Sequence, residues 1–261
     1  MAATPSQRST GGADTSLPFQ VEPINRISDR VADQIRNYIV DQGLDEGERL
    51  PSERRLAELV GSSRPTVSHA LRTLSLQGLV KIRPGAGAFV LRNPSSMVDA
   101  SVNLMLQLEP ESLAEAAHLR FLLEITAGRQ AVAREECDCG PLNRALADLT
   151  DARGSASEWI AADTVFHVEV VRLAGNRFLT SMFTSVHTAL VAKAYEPWVS
   201  AKKAPRWLTG TAFDRQIALH EPMAKALAQR RRGEFEQAAI VHQEALLAHL
   251  GLEMSDWARG I

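Results

Sequence analysis

The stretch SSRPTVSHALRTL, Ser62 to Leu74, lies in a segment of unusual charge. From Gly61 to Asn93 the chain carries four Arg, one Lys and no Asp or Glu, although its formal net charge is −2. From Phe19 to Val60 the balance is reversed, with six basic and nine acidic residues. Within the stretch Ser63 is placed to cap a helix. Pro65 falls in the first turn, where its missing N–H costs nothing, and Val67, Ala70, Leu71 and Leu74 recur at helical spacing. The other face carries Ser68, His69, Arg72 and Thr73, with Arg64 and Thr66 at its N-terminal end.

Upstream, LPSERRLAELVG reads as a short helix capped by Ser52 and closed by Gly61. Before it, Val31, Ile35 and Ile39 at four-residue spacing predict an amphipathic helix that starts at an N-cap Ser28 and stops before Gly43. Downstream, LVKIRPGAGAFVL changes period: two short β-branched runs flank Pro84-Gly85-Ala86-Gly87, the pattern of a hairpin. Three short helices and a hairpin within roughly 65 residues, the second and third helices joined by a tight turn, make a winged helix-turn-helix. An exposed helix face of cations and hydroxyls without carboxylates suits the DNA major groove. Arg reads guanine O6 and N7 there, while hydroxyls and the helix N-terminus hold phosphates. Lys81 and Arg83 extend the basic surface onto the wing. Double-stranded DNA is therefore the expected partner.

The run LPSERRLAELVGSSRPTVSHALRTLSLQGLVKIRPGAGAFV resembles the DNA-binding domain of the GntR family of bacterial transcription regulators, through P-S-E-R, S-R-x-T-V, A-L and a closing G-x-G-x-F-V. The resemblance spans residues 26–91 and implies base and phosphate contacts from Arg54, Ser63, Arg64, Thr66 and the wing at Gly85. Two positions depart from the family pattern: Ser68 stands where family members commonly carry Arg, and Pro65 where many carry Thr. A lost guanidinium removes a guanine contact worth about 1–3 kcal/mol of discrimination, which predicts an altered operator. Arg72, one turn beyond Ser68, is the residue placed to compensate or to touch phosphate instead.

Beyond residue 96 no stretch alternates with period two. Helical periodicity is clearest over Glu111 to Ala133, Ser157 to Leu173, Arg177 to Tyr195, Thr211 to Arg230 and Glu234 to Leu250, which predicts an all-α bundle of six or seven helices. The expected organisation is a disordered tail over 1–18, the winged head over 19–92, a linker over 93–96, the helical domain over 97–252 and a tail over 253–261, mainly α overall. No window approaches the ~18 apolar residues of a membrane span, and the N-terminus lacks the apolar core of a signal peptide, so a cytoplasmic protein is expected. Cys137 and Cys139 read as free thiols, too close for a disulfide framework and without a second pair for zinc.

The helical region contains AADTVFHVEVVRLAGN, in which Asp163 and His167 share a helix face at i, i+4. His220 and His242 each lie in a predicted helix, and their midpoint, residue 231, falls in QRRRG. A turn there puts both imidazoles about 16 Å from the bend, at the same height on an antiparallel hairpin. A turn centred on Gly233 instead makes His249, on the same stripe as His242, the rival. The D-x-x-F-H…N and H-x21-H patterns resemble the FCD ligand-binding domain of the FadR-like subfamily of these regulators. In metal-binding members one Asp and three His hold a divalent ion, which implies Asp163, His167, His220 and His242 here. The donor set suits zinc, the default, as well as nickel or manganese.

Arg120, in HLRFLLE, matches an arginine carried on an early helix of such domains and has two readings: an anchor for an effector carboxylate, or a surface salt bridge to Glu124. His118, His187 and Lys193 are pocket residues or helix surface, and Lys202, Lys203, Arg206 and Trp207 read as a solvated loop. The resemblance implies a homodimeric regulator, typically a repressor released by a small organic acid. Its metal set favours short hydroxy- or keto-acids over the acyl-CoA of members lacking it. The alternative is a metal-dependent hydrolase-like enzyme tethered to a DNA-binding head, with Glu169 as the nearest general base; a purely structural metal is a third reading.

Overall fold

The computed structural model describes residues 24–91, 96–109, 111–201 and 206–252. The expected tails, most of the expected linker, Lys202 and Lys203 lie outside these residues. The chain forms two compact units, 1–92 and 93–261.

In the first unit, α1 (Ile24–Asp41), α2 (Glu53–Val60) and α3 (Arg64–Leu76) precede an antiparallel hairpin of β1 (Val80–Arg83) and β2 (Gly87–Val90). Ser28 does not cap α1 as the sequence suggested; it lies one turn inside and is 1% exposed. Its position continues the buried stripe of Val31, Ala32, Ile35 and Ile39 backward by one turn, so tertiary burial claims a residue whose chemistry suits a cap. The C-terminal signal holds: Leu44 N donates to Ile39 O and Gly43 N to Val40 O, with Gly43 at φ 61°, which makes a Schellman motif.

Ser52 accepts from Arg55 N and Ser63 from Thr66 N, each at 3.3 Å, so both expected caps start their helices. Val67, Ala70, Leu71 and Leu74 of α3 are buried against α1, Leu56, Val80 and Val90. The wing pairs Val80 with Val90 and Arg83 with Gly87. On the other side of β2, Leu50 N donates to Ala88 O (2.9 Å) and Val90 N to Glu48 O (2.8 Å), an edge contact invisible to periodicity.

The second unit contains, among the described residues, seven α-helices: α4 (Ser96–Leu108), α5 (Ser112–Ala133), α6 (Gly140–Asp151), α7 (Ala156–Arg172), α8 (Arg177–Ala201), α9 (Gly210–Ala228) and α10 (Arg232–His249), with one 3₁₀ turn at Arg206–Leu208. Helix α4 begins at Ser96, the last residue assigned to the linker. The main core joins Phe121 and Ile125 of α5, Trp159 and Phe166 of α7, Phe213 and Met223 of α9, and Phe235 of α10. A Cβ at Gly128 would stand 1.9 Å from the Phe235 ring, so α5 and α10 approach this closely only because that side chain is missing.

The turn between α9 and α10 decides the geometry of the histidines. Arg231 N donates to Ala226 O and Arg230 N to Leu227 O, again a Schellman motif, but Arg230 holds the left-handed position (φ 56°) where glycine is usual. Left-handed backbone costs a side-chain-bearing residue about 1–2 kcal/mol. Here the guanidinium offsets that cost by donating to the carbonyls of Val132, in the last turn of α5, and of Arg134 and Glu135 just past its end. The turn therefore centres near residue 230 and not on Gly233, which lies in the first turn of α10.

Candidate functional site

In the winged unit, Arg64, His69 and Arg72 are exposed on α3, Arg54 on α2 and Gly85 at the wing tip, while Thr66 and Ser68 are half-buried. Ser63 Oγ and Thr66 Oγ1 lie 2.7 Å apart, which puts two linked hydroxyls at the N-terminus of α3 beside Arg64. That helix end carries partial positive charge and no acidic residue in its first turn. Gly85 (φ 72°) forms the three-residue wing turn, closed by Ala86 N to Arg83 O. A groove between α2, α3 and the wing is lined by Arg49, Arg54, Arg64, Arg83 and Gly85. Arg49 was not singled out in the sequence because it sits in an acidic stretch; edge pairing with Phe89 carries it to the wing.

In the helical unit, α7 supplies Asp163 and His167, α9 His220 and α10 His242, and one donor atom from each lies within 4.8 Å of the others. His220 Nε2 is 3.1 Å from Asp163 Oδ1 and 3.2 Å from His242 Nε2. His249 does not join them. It stacks on Tyr195 (centroids 4.9 Å) and contacts Trp198 and Trp207, because the turn at residue 230 brings His242 level with His220 and leaves His249 two turns further along α10.

The hydrogen bonds fix which nitrogens are free. His220 Nδ1 donates to Gln216 O (2.7 Å), and His167 Nδ1 donates to Glu124 Oε1 (2.5 Å). A carboxylate that close requires the proton on that nitrogen, although Arg120 Nη2 stands 3.1 Å away. With Nδ1 of both rings occupied, Nε2 of each turns inward: that of His220 faces Asp163 Oδ1, and that of His167 is buried without a hydrogen-bond partner. Burial, reinforced by Arg120 for His167 and by the other imidazoles for His242, pushes both rings' pKa well below the usual 6.5. Burial by itself would raise the Asp163 carboxyl, but His167, the hydrogen bond with His220 and His187 outweigh it and hold the carboxyl well below 3.8. Three imidazole nitrogens and an ionised carboxylate converge in a buried space. This donor set fits a divalent cation and is unfavourable without positive charge among the acceptors.

Arg120 and Glu124 form the expected ion pair (3.4 Å), but both are 1% exposed, so it is a buried bridge and not a surface one. Arg120 Nε donates to His187 Nδ1 (3.0 Å) and Nη1 to Gln243 Oε1 (3.4 Å). His187 is fully buried, its Nε2 3.5 Å from Asp163 Oδ2; His118 is half-buried and Lys193 is exposed beside Glu196. Glu124 and Gln243 thus belong to the site without having been assigned to it from sequence, and of the two readings of His187 the pocket one fits its place. A small cavity of about 40 Å³ adjoins the cluster and is lined by Arg120, Asp163, His187, Tyr195, Trp207 and His249, among others.

Trp207, expected in a solvated loop, instead packs edge-on against Trp159 (5.9 Å) and lines this cavity; Arg206 is exposed. Glu169 is not a base for the cluster. Two residues past His167 it faces away around the helix and pairs with Arg172 at 2.9 Å. Cys137 and Cys139 are unbridged, 3.8 Å apart, and burial with the neighbouring thiol raises Cys139 to about 11.

A winged helical head and a separate helical unit that buries an Asp/His cluster define a DNA-binding regulator. Residues 27–90 match the family described as "Bacterial regulatory proteins, gntR family", and residues 107–245 match the FCD domain. The chain belongs to the GntR family of transcription regulators, in the FadR-like subfamily with a C-terminal FCD domain. This is a family of regulators and not of enzymes. Among its relatives, the Uxu operon transcriptional regulator of Escherichia coli (strain K12) is 30% identical over 239 residues, which span 85% of this chain and 80% of the relative. The HTH-type transcriptional repressor NanR of Enterobacter sp. (strain 638) is 25% identical, spanning 97% and 93%. A solved structure, Streptococcus agalactiae GntR, shares the fold with a TM-score of 0.63 at 19% identity, over 84% of this chain and 98% of that one. No helix among the described residues is long and apolar enough to cross a membrane.

Proposed function

We propose that the protein is a homodimeric repressor whose operator affinity is set by a small carboxylate effector, bound beside a divalent cation that Asp163, His167, His220 and His242 hold. The observation that carries this reading is the convergence of Nε2 of His167 and His220 on the ionised Asp163, next to a cavity. Zinc is the default ion, with nickel and manganese compatible with the same donors. When bound, the ion supplies Lewis acidity toward a carboxylate or hydroxyl oxygen. Glu124 holds the His167 tautomer and the Gln216 carbonyl that of His220; Arg120 supports the site by its buried charge, and as a cavity-lining cation it favours an anionic ligand.

On DNA, Arg64 and Arg72 reach base edges or phosphates from α3. Ser63, Thr66 and Ser68 hold phosphate at its N-terminal half, Arg54 contacts the backbone from α2, and Gly85 lets the wing approach closely. Two heads bind an inverted repeat with half-site centres about 34–36 Å apart or nearer. Repression is supported by the NanR relatives, which carry that description. An effector acts through its different affinity for operator-competent and incompetent states.

The test is an electrophoretic mobility shift with DNA from upstream of the protein's own reading frame, with and without short hydroxy- and keto-acids. A specific complex weakened by one class of acid is expected. Indifference to every acid by metal-loaded protein overturns the effector reading, and indifference to DNA overturns the whole.

A further inference from the structure

We propose that His187 reads the anionic ligand of this site as a hydrogen-bond donor beside the cation and is not one of its ligands; this rests on the cation reading above. The assignment follows from Arg120. Its Nε–H donates to His187 Nδ1 at 3.0 Å, and a guanidinium has no lone pair to offer in return. Nδ1 must therefore be the bare nitrogen, and the imidazole proton sits on Nε2. His167 and His220 have the opposite arrangement, with Nδ1–H spent on Glu124 and on the Gln216 carbonyl. Of the imidazoles facing Asp163, His187 alone is set by its partner to present a proton.

That proton has nothing to bind. His187 is fully buried and lines the cavity with Asp163, yet its Nε2 lacks a hydrogen-bond partner. The nearest carboxylate oxygen, Asp163 Oδ2, is 3.5 Å away, beyond a well-made bond, while Oδ1 is the oxygen turned toward His220 and His167. A buried N–H without an acceptor is costly, so the site is completed by an acceptor entering beside Asp163. An acceptor approaching a carboxylate is repelled unless a cation lies between them. A ligand carboxylate meets both demands, one oxygen toward the cation and the other accepting from His187. The cavity of about 40 Å³ is roughly three times the ~10–15 Å³ that a single water requires, which is room for the carboxylate head of a small mono- or 2-hydroxy acid.

The test uses the full chain, stripped of metal and reloaded with Co²⁺, whose visible bands report the ligands around the ion. Acetate and glycolate are then titrated in. His187→Gln keeps an N–H donor; His187→Phe and His187→Met remove it, the second guarding against a fold that rejects the phenyl ring. Asp163→Asn serves as the ligand-loss control. All His187 variants are expected to give the wild-type Co²⁺ spectrum, with affinity within about threefold. The spectral response to acetate should survive in His187→Gln and weaken about tenfold or more in the donor-free variants.

An altered Co²⁺ spectrum in the His187 variants would make His187 a ligand and overturn the proposal. An acetate response equal in every form, wild type included, overturns it as well, leaving His187 only to orient Asp163. If the wild type takes up no Co²⁺, or Asp163→Asn keeps it unchanged, the cation reading itself has failed, a result distinct from either.

Discussion

His220 Nε2 and Asp163 Oδ1 stand 3.1 Å apart, and because His220 Nδ1 donates to the Gln216 carbonyl, two acceptors face each other unless a proton or a cation lies between them. Metal binding is then expected to displace protons and weaken on acidification. Asp163→Asn removes the anion at the centre of the donor set, and calorimetric titration with Zn²⁺ should show affinity lower by at least about 100-fold. Retained affinity would mean that the cluster is held together by hydrogen bonds alone.

Glu124 never reaches the cavity, yet it fixes the proton of His167 from 2.5 Å. Glu124→Gln keeps the size of the side chain and lets the ring choose either tautomer. A fall of about 10–100-fold in metal affinity is expected, with the fold retained by circular dichroism. Glu124→Ala should be worse, since it also strands the buried Arg120 guanidinium.

Stability of the metal-free protein should fall between pH 7 and pH 5. Burial is the main cause holding His167, His187 and His242 well below 6.5, so each stays neutral in the fold while the unfolded chain takes up protons. Nothing is lost above about 6.5. Below it each ring withdraws up to about 1.4 kcal/mol per pH unit. Asp163 acts in a lower window: its depressed carboxyl stabilises the fold above 3.8 and that contribution disappears as pH falls further. Urea denaturation of chelator-treated protein measures the slope, and a flat profile from pH 7 to 5 contradicts this account.

On the winged unit, Arg64 and Arg72 are both exposed on α3 but differ in expected role. Arg64→Ala should cost about 1–3 kcal/mol of operator binding. Arg64→Glu should abolish specific binding in a folded protein. If Arg72 touches phosphate, Arg72→Ala weakens all sequences alike and reduces the salt slope by about one; a sequence-dependent loss identifies it as the base reader that stands in for the arginine missing at Ser68.

Gly128→Ala sets a methyl group 1.9 Å from the Phe235 ring in a packed core. Destabilisation of about 1–3 kcal/mol is expected in thermal or urea unfolding, and Phe235→Leu in the same chain should recover part of it. Equal stability of the single variant would show that α5 and α10 can part without penalty.

Much of the fold is legible locally. The caps at Ser52 and Ser63, the glycines at 43 and 61, and the stripe on α3 all act over a few residues, and each does what its chemistry predicts. Where the reading slipped, a longer-range effect prevailed. Ser28 suits a cap but is claimed by the core, and Trp207 sits in a basic loop but is drawn onto Trp159. Helix α6 lies outside the clearest helical runs of the sequence, and Leu142, Ala145 and Leu149 give it a buried stripe.

The candidate cation cluster was legible because its spacing is local twice over: Asp163 and His167 are one helical turn apart, and His220 and His242 are mirrored across a single turn. Sequence alone therefore determined the winged head, the helical second unit and the candidate donors, with His249 still open as the rival of His242. Tertiary structure decided what surrounds them. Arg120 and His187 are 67 residues apart, and Glu124 and His167 are 43 apart, so no period or cap links them. Their contacts exist because α5, α7 and α8 pack side by side, and only that packing sets which nitrogens carry protons and which stand bare.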